Sequence, residues 1–186
     1  MNRPGGILCR ATYDSNLNMK ITQKDFDETT ELAALLTKID TLSPEEVNTL
    51  SEEIFERTPF FLTVLLGYRF ELTSEELEEI MKIYFLVWKY FRTNKNVRTE
   101  QVTETYFENI QDRHIEMLKY FEGETEQKKN RNVYSYDLGK LNSKALLTAV
   151  LHRYDNRPTL LKMQEESKGI IFVGIKSFIE CFETIQ

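Results

Sequence analysis

The stretch TSEELEEIMKIYFLVWKYFR, residues 73 to 92, constrains this chain more than any other. Thr73 and Glu76 have the spacing of a capping box, in which hydroxyl and carboxylate each take a backbone N–H at the helix start. Glu75, Glu76, Glu78 and Glu79 then place negative charge at the positive end of the helix dipole. Leu77, Ile80, Met81, Tyr84, Trp88 and Phe91 mark one helical face, as in an ordinary surface helix. Ile83, Phe85, Leu86, Val87 and Tyr90, however, fill the other faces. A helix apolar on every side is enclosed by protein or by lipid. Lipid calls for about 20 apolar residues in a row, and Lys82 and Lys89 interrupt this run. The pattern predicts a central helix over 74–92 against which the other elements pack.

Other helices follow from start and stop signals. Phe26, Leu32, Leu35, Leu36 and Ile39 trace a first helical face after Lys24. Ser43, Pro44 and Glu46 supply a cap, a proline at the first helical position and a capping carboxylate, so a second helix starts there, carries Val47, Leu50, Ile54 and Phe55 on one face and ends before Pro59. Residues 59–68, PFFLTVLLGY, suit a short buried helix, with a buried strand as the alternative, since a short apolar run does not decide between them. A long helix is expected from Thr99 to Glu122, with Val102, Tyr106, Ile110, His114, Met117 and Phe121 inward and Gly123 as its terminator. Ser143 to Tyr154 and Thr159 to Thr184 complete the set, separated by Asn156, Arg157 and Pro158. The whole reads as an all-α domain of six or seven helices in antiparallel pairs. Residues 1–18 lack periodicity and are expected to be a disordered tail ahead of a domain at 19–186, and the polar stretch 123–142 is expected to be a flexible loop.

Two segments look alike. FLTVLLGYR (61–69) resembles LLTAVLHR (146–153), and KIYFLVWKYF (82–91) resembles GIIFVGIKSF (169–178), which aligns Ile83 with Ile170, Phe85 with Phe172, Lys89 with Lys176 and Phe91 with Phe178. Such a repeat, over 59–92 and 144–180, resembles the stacked helix pairs of the HEAT and armadillo class in general shape. It also favours helix over strand for the β-branched run 169–175.

The chain has 186 residues, enough to bury a core without disulfide staples. Its two cysteines, Cys9 and Cys181, suit a reducing compartment, and with no span or leader apparent the expected location is cytoplasmic. The net charge of −6 is unevenly spread: residues 22–81 hold fifteen acids against four bases, and residues 82–186 fourteen against seventeen. An acidic N-terminal half can steer a basic partner.

Catalytic motifs are missing. No Glu-x-x-His occurs, so the ladder Glu104, Glu108, Asp112 and Glu116 reads as a solvated helix face rather than a metal site. Two cysteines and two histidines lie too far apart in sequence for a zinc motif. There is no G-x-S-x-G elbow, P-loop or G-x-G-x-x-G. His114 sits on an apolar stripe and reads as a hydrogen-bonded core residue. The basic groups Arg92, Lys95, Arg98 and Lys128, Lys129, Arg131 fall at opposite ends of the long helix and form no continuous phosphate-binding stripe.

These readings point to a non-catalytic helical protein-interaction module that needs no cofactor or metal, with another protein as partner and no membrane role. Its surface would carry Glu45, Glu52, Glu53, Glu75 and Glu79. An alternative is a helical pocket for a small molecule lined by Tyr84, Trp88, Lys89, His114 and Lys176, because a lysine among apolar residues must snorkel or meet a counter-group. Association with nucleic acid ranks third.

Overall fold

The computed structural model describes residues 23–93, 101–120 and 141–185, together with Val97, Thr125 and Lys128. The expected tail at 1–18, most of the loop at 123–142 and the terminator Gly123 lie outside the described residues. Within them the chain is all α: α1 (Gln23–Asp40), α2 (Pro44–Arg57), α3 (Pro59–Gly67), a 3-10 turn (Tyr68–Phe70), α4 (Ser74–Phe91), α5 (Glu104–Tyr120), α6 (Lys144–Asn156), α7 (Pro158–Lys162) and α8 (Glu165–Thr184).

Both capping boxes form. Ser43 accepts the Glu46 N–H at 3.2 Å while Glu46 accepts the Ser43 N–H at 2.8 Å. Thr73 and Glu76 do the same at 3.3 and 2.8 Å. Each box satisfies donors that have no intrahelical partner, so α2 and α4 begin where local chemistry says they must.

Two expected helices differ. The fifth starts at Glu104 rather than Thr99, because Thr103 turns its hydroxyl to the Tyr106 N–H and caps the helix there. Its inward stripe is Phe107, Ile110 and His114 rather than one through Tyr106, which is 38 % exposed. The rotation seats Phe107 against Phe178, with ring centroids 4.3 Å apart, and against Phe60 at 5.4 Å. The last helical region splits at Met163 and Gln164 into α7 and α8, which brings the α-helices among the described residues to eight. Residues 169–175 are helical as expected.

The centre is the pair α4 and α8. They run side by side in the same direction, since Tyr84 meets Phe178 and, one turn on, Trp88 meets Phe182. Ile80, Ile83 through Trp88, and Phe91 are all buried, so α4 is enclosed on every side from Ile83 to Trp88, where its composition requires it. Phe61 of α3 stacks on Tyr84 at 4.4 Å and meets Phe178 and Phe182 edge-on. Each enclosed ring contributes about 1.5–3 kcal/mol by burial and its ring pairs about 0.5–1.5 kcal/mol more.

Helices α1 and α6 lie on α4 and run opposite to it. Glu28 and Glu31 of α1 and Ser143 at the start of α6 are near Tyr90, whereas Asp40 and Arg153 at their far ends are near Glu79. Helix α5 lies along α8, and α2 packs on α3. Of the residues paired by the sequence resemblance, Phe91 and Phe178 are both buried, whereas Ile83 is buried and Ile170 exposed, and Lys89 is half-buried and Lys176 enclosed.

Candidate functional site

Charged side chains gather where α1, α4 and α6 meet. Arg153 stands in the last turn of α6 and is only 2 % exposed. Its Nη2 donates to Asp40 of α1 at 2.7 Å and to Glu79 of α4 at 2.9 Å. Arg157, just past the end of α6, also pairs with Asp40 and approaches Glu79 at 3.7 Å. Lys82 joins Glu79 at 2.8 Å and Glu78 at 2.7 Å. A buried guanidinium is tolerable only when carboxylates surround it, and two helices other than its own, α1 and α4, supply them here. Burial works against ionisation of Asp40 and Glu79. The neighbouring cations outweigh it, Arg153 above all for Asp40 and Lys82 for Glu79, and hold both carboxyls below their ordinary values.

A second cluster joins α5 to α8. Glu180 pairs with Arg113 and lies 3.0 Å from Nε2 of the enclosed His114. Burial again opposes ionisation, and the bonds from His114 and Arg113 again lower the Glu180 pKa. The adjacent Cys181 is enclosed, and burial, with help from Glu180, pushes its thiol up to about 12. A thiol held protonated is no nucleophile at neutral pH, so this cluster joins two helices without supplying a thiolate. A shallow depression nearby is lined by Gln101, Thr103, Tyr106, Thr184 and Ile185.

The residues expected to line a pocket are spread over the fold. Tyr84 and Trp88 belong to the aromatic core. Lys89 faces α1 and α2, where burial and the charges of Arg92 and Lys38 lower its pKa beside Glu46 and Glu53. His114 belongs to the α5–α8 contact, and Lys176 is enclosed within the fold instead of snorkelling to water.

The five expected surface acids also divide. Glu45, Glu52 and Glu75 are exposed. Glu53 bonds to Arg92 at 3.0 Å and ties α2 to the end of α4. Glu79 has a side chain only 13 % exposed and turns inward to Arg153 and Lys82. Glu75 lies at the opposite end of α4 from Arg92, seventeen residues or about 26 Å away, so the acids do not form one patch. Glu104, Glu108, Asp112 and Glu116 are all exposed, as a solvated face requires.

Sequence reading missed Asp40, Arg153, Arg157, Glu180 and Glu183. Asp40 and Arg153 are 113 positions apart, and Glu183 accepts the N–H of Asn142 from 41 positions away, so no local pattern signals either contact.

No family model, curated protein or solved structure matches the chain. Among the described residues no group of His, Cys, Asp and Glu could hold a metal ion, and no helix is long and apolar enough to cross a membrane.

Proposed function

We propose that the chain is a non-catalytic protein-interaction module that presents the outer face of α2 to a basic partner. The supporting observation is a mixed surface. Glu45, Asn48, Glu52, Phe55 and Glu56 recur at helical spacing on the side opposite the buried Leu50 and Ile54. Phe55, expected on one face with Leu50 and Ile54, is instead 65 % exposed. Glu46 and Glu53, on the flanks, are taken up by Lys38 and Arg92, while Glu45, Glu52 and Glu56 form no ion pair among the described residues. Free carboxylates around an exposed ring suit a partner that brings lysine or arginine together with an apolar side chain to cover the phenylalanine.

Native mass spectrometry of gently purified protein tests this, with a Glu45→Lys, Glu52→Lys double variant alongside. The expected result is a protein-sized mass excess on the wild type that weakens with salt and is absent from the double variant. A wild-type monomer without excess mass, or a partner retained by the variant, refutes the reading.

A further inference from the structure

Helix α1 occupies a groove between α4 and α6, and its main packing is against those two helices. Leu32, Leu35, Leu36 and Ile39 fall at i, i+3, i+4 and i+7 and supply its inward stripe: Leu32 and Ile39 are buried, and the two leucines between them are half-buried. Asp40, directly after the stripe, takes hydrogen bonds from Arg153 and Arg157. This is how an amphipathic helix lies in a receptor groove, with apolar anchors along its length and a charge at one end that fixes direction. Here the occupant belongs to the same chain.

Three features make this occupant separable. The guanidiniums that hold Asp40 also face Glu79 of α4, Arg153 at 2.9 Å and Arg157 at 3.7 Å. Withdrawing α1 therefore leaves both with a carboxylate from the body of the fold, and Arg153 avoids the heavy cost of a buried charge with no counter-ion. The capping box that starts α2 lies wholly within residues 43–46, so α2 keeps its N-terminus without α1. Finally, α1 fully buries Leu32 and Ile39, whereas α4 buries eight side chains. Elements with few buried contacts open first.

We propose that α1 is a displaceable helix, and that the α4–α6 groove accepts in its place an amphipathic helix of a partner protein, apolar at i, i+3, i+4 and i+7 with a carboxylate one residue later. That carboxylate meets Arg153 and Arg157 as Asp40 does, and it sets the direction of the incoming helix opposite to α4. The outer face of α2 plays no part in this, so the groove stands or falls independently of that surface.

The test uses the full chain and a fluorescein-labelled peptide of residues 23–40 as probe. In the wild type the tethered α1 competes with the peptide, and apparent affinity is reduced by the small fraction that is open. Asp40→Asn loosens the tethered helix and leaves the peptide's own aspartate intact. The variant is expected to bind the peptide on the order of tenfold more tightly than the wild type, and a peptide with Leu32→Asp and Ile39→Asp should not bind. Hydrogen exchange on Asp40→Asn should show protection lost over 23–40 and kept in α4 and α6. Leu36→Ala loosens α1 by a different route and should raise peptide affinity too, which covers the case in which Asp40→Asn fails to fold. A dimer of either variant that the peptide dissociates would make the second copy's α1 the occupant and overturn the partner-protein reading. No saturable binding to either variant, or protection lost from α4 and α6 along with α1, overturns the proposal.

Discussion

The hydroxyl of Tyr68 stands where a Cβ on residue 174 would be, closer than Cβ contacts in real proteins come, so α8 passes this ring only because position 174 is glycine. The ring is half-buried, its hydroxyl lies near that of Tyr84, and burial pushes its pKa up to about 12. An aromatic ring held in this way has little freedom to step aside.

Gly174→Ala should therefore destabilise the protein by about 1–3 kcal/mol through overpacking. Tyr68→Phe removes the offending oxygen and leaves the ring carbon Cζ at 3.6 Å, an ordinary contact. In that background Gly174→Ala should be neutral or stabilising, since alanine is the better helix former by about 1 kcal/mol. A double-mutant cycle by urea denaturation measures the coupling. Equal costs in both backgrounds would show that the hydroxyl is not the obstacle.

Glu183 caps α6 from a distant helix. Its carboxylate accepts the Asn142 N–H at 3.0 Å and the Ser143 N–H at 2.5 Å, and no side chain of α6 performs that service. Glu183→Ala should cost about 1–3 kcal/mol by leaving those donors without an acceptor. Glu183→Gln keeps one carbonyl oxygen and should lose less. Exchange of the amides at 142 and 143 should rise in the alanine variant first.

The response to acid follows from Asp40 and Glu79. Their folded pKa values are depressed from ordinary values of 3.8 and 4.5 by Arg153, Arg157 and Lys82 against the opposing effect of burial. A depressed carboxylate contributes its stability in full above the unfolded value and loses it as pH falls through the folded one. Stability should decline below about pH 4.5. Asp40→Asn should be less stable at neutral pH and lose less on acidification, measured by thermal melts at stepped pH. Parallel curves for the two proteins would exclude this pairing as the source.

Cys181 should resist alkylation. Its thiol is enclosed and its pKa is pushed up to about 12, so the thiolate fraction at neutral pH is negligible. Peptide mapping after iodoacetamide should show Cys181 modified at least about a hundredfold more slowly in native protein than in urea. Comparable rates would mean that the α5–α8 contact opens readily.

Legibility differed by kind of contact. The bounds of α2 and α4 were readable because Ser43 with Glu46, and Thr73 with Glu76, act across three residues. Enclosure of α4 was readable because Ile83 through Trp88 leave no polar face. The start of α5 was misread for want of a stronger cap than Thr103, and its rotation was set by Phe178, which lies far along the chain. The break at Met163 and Gln164 carried no proline or glycine to mark it.

The all-α class, the starts of α2 and α4 and the place of α4 at the centre were written in local pattern, because backbone capping and the 3.6-residue apolar period act within a few positions. Tertiary structure alone decided which acids turn away from water. Glu75 and Glu79 stand one turn apart in the same acidic run, yet Glu75 is exposed and Glu79 is held by Arg153, 74 positions away. A carboxylate can turn inward only where another helix delivers a cation to it, and that delivery depends on how helices pack, which local pattern does not encode.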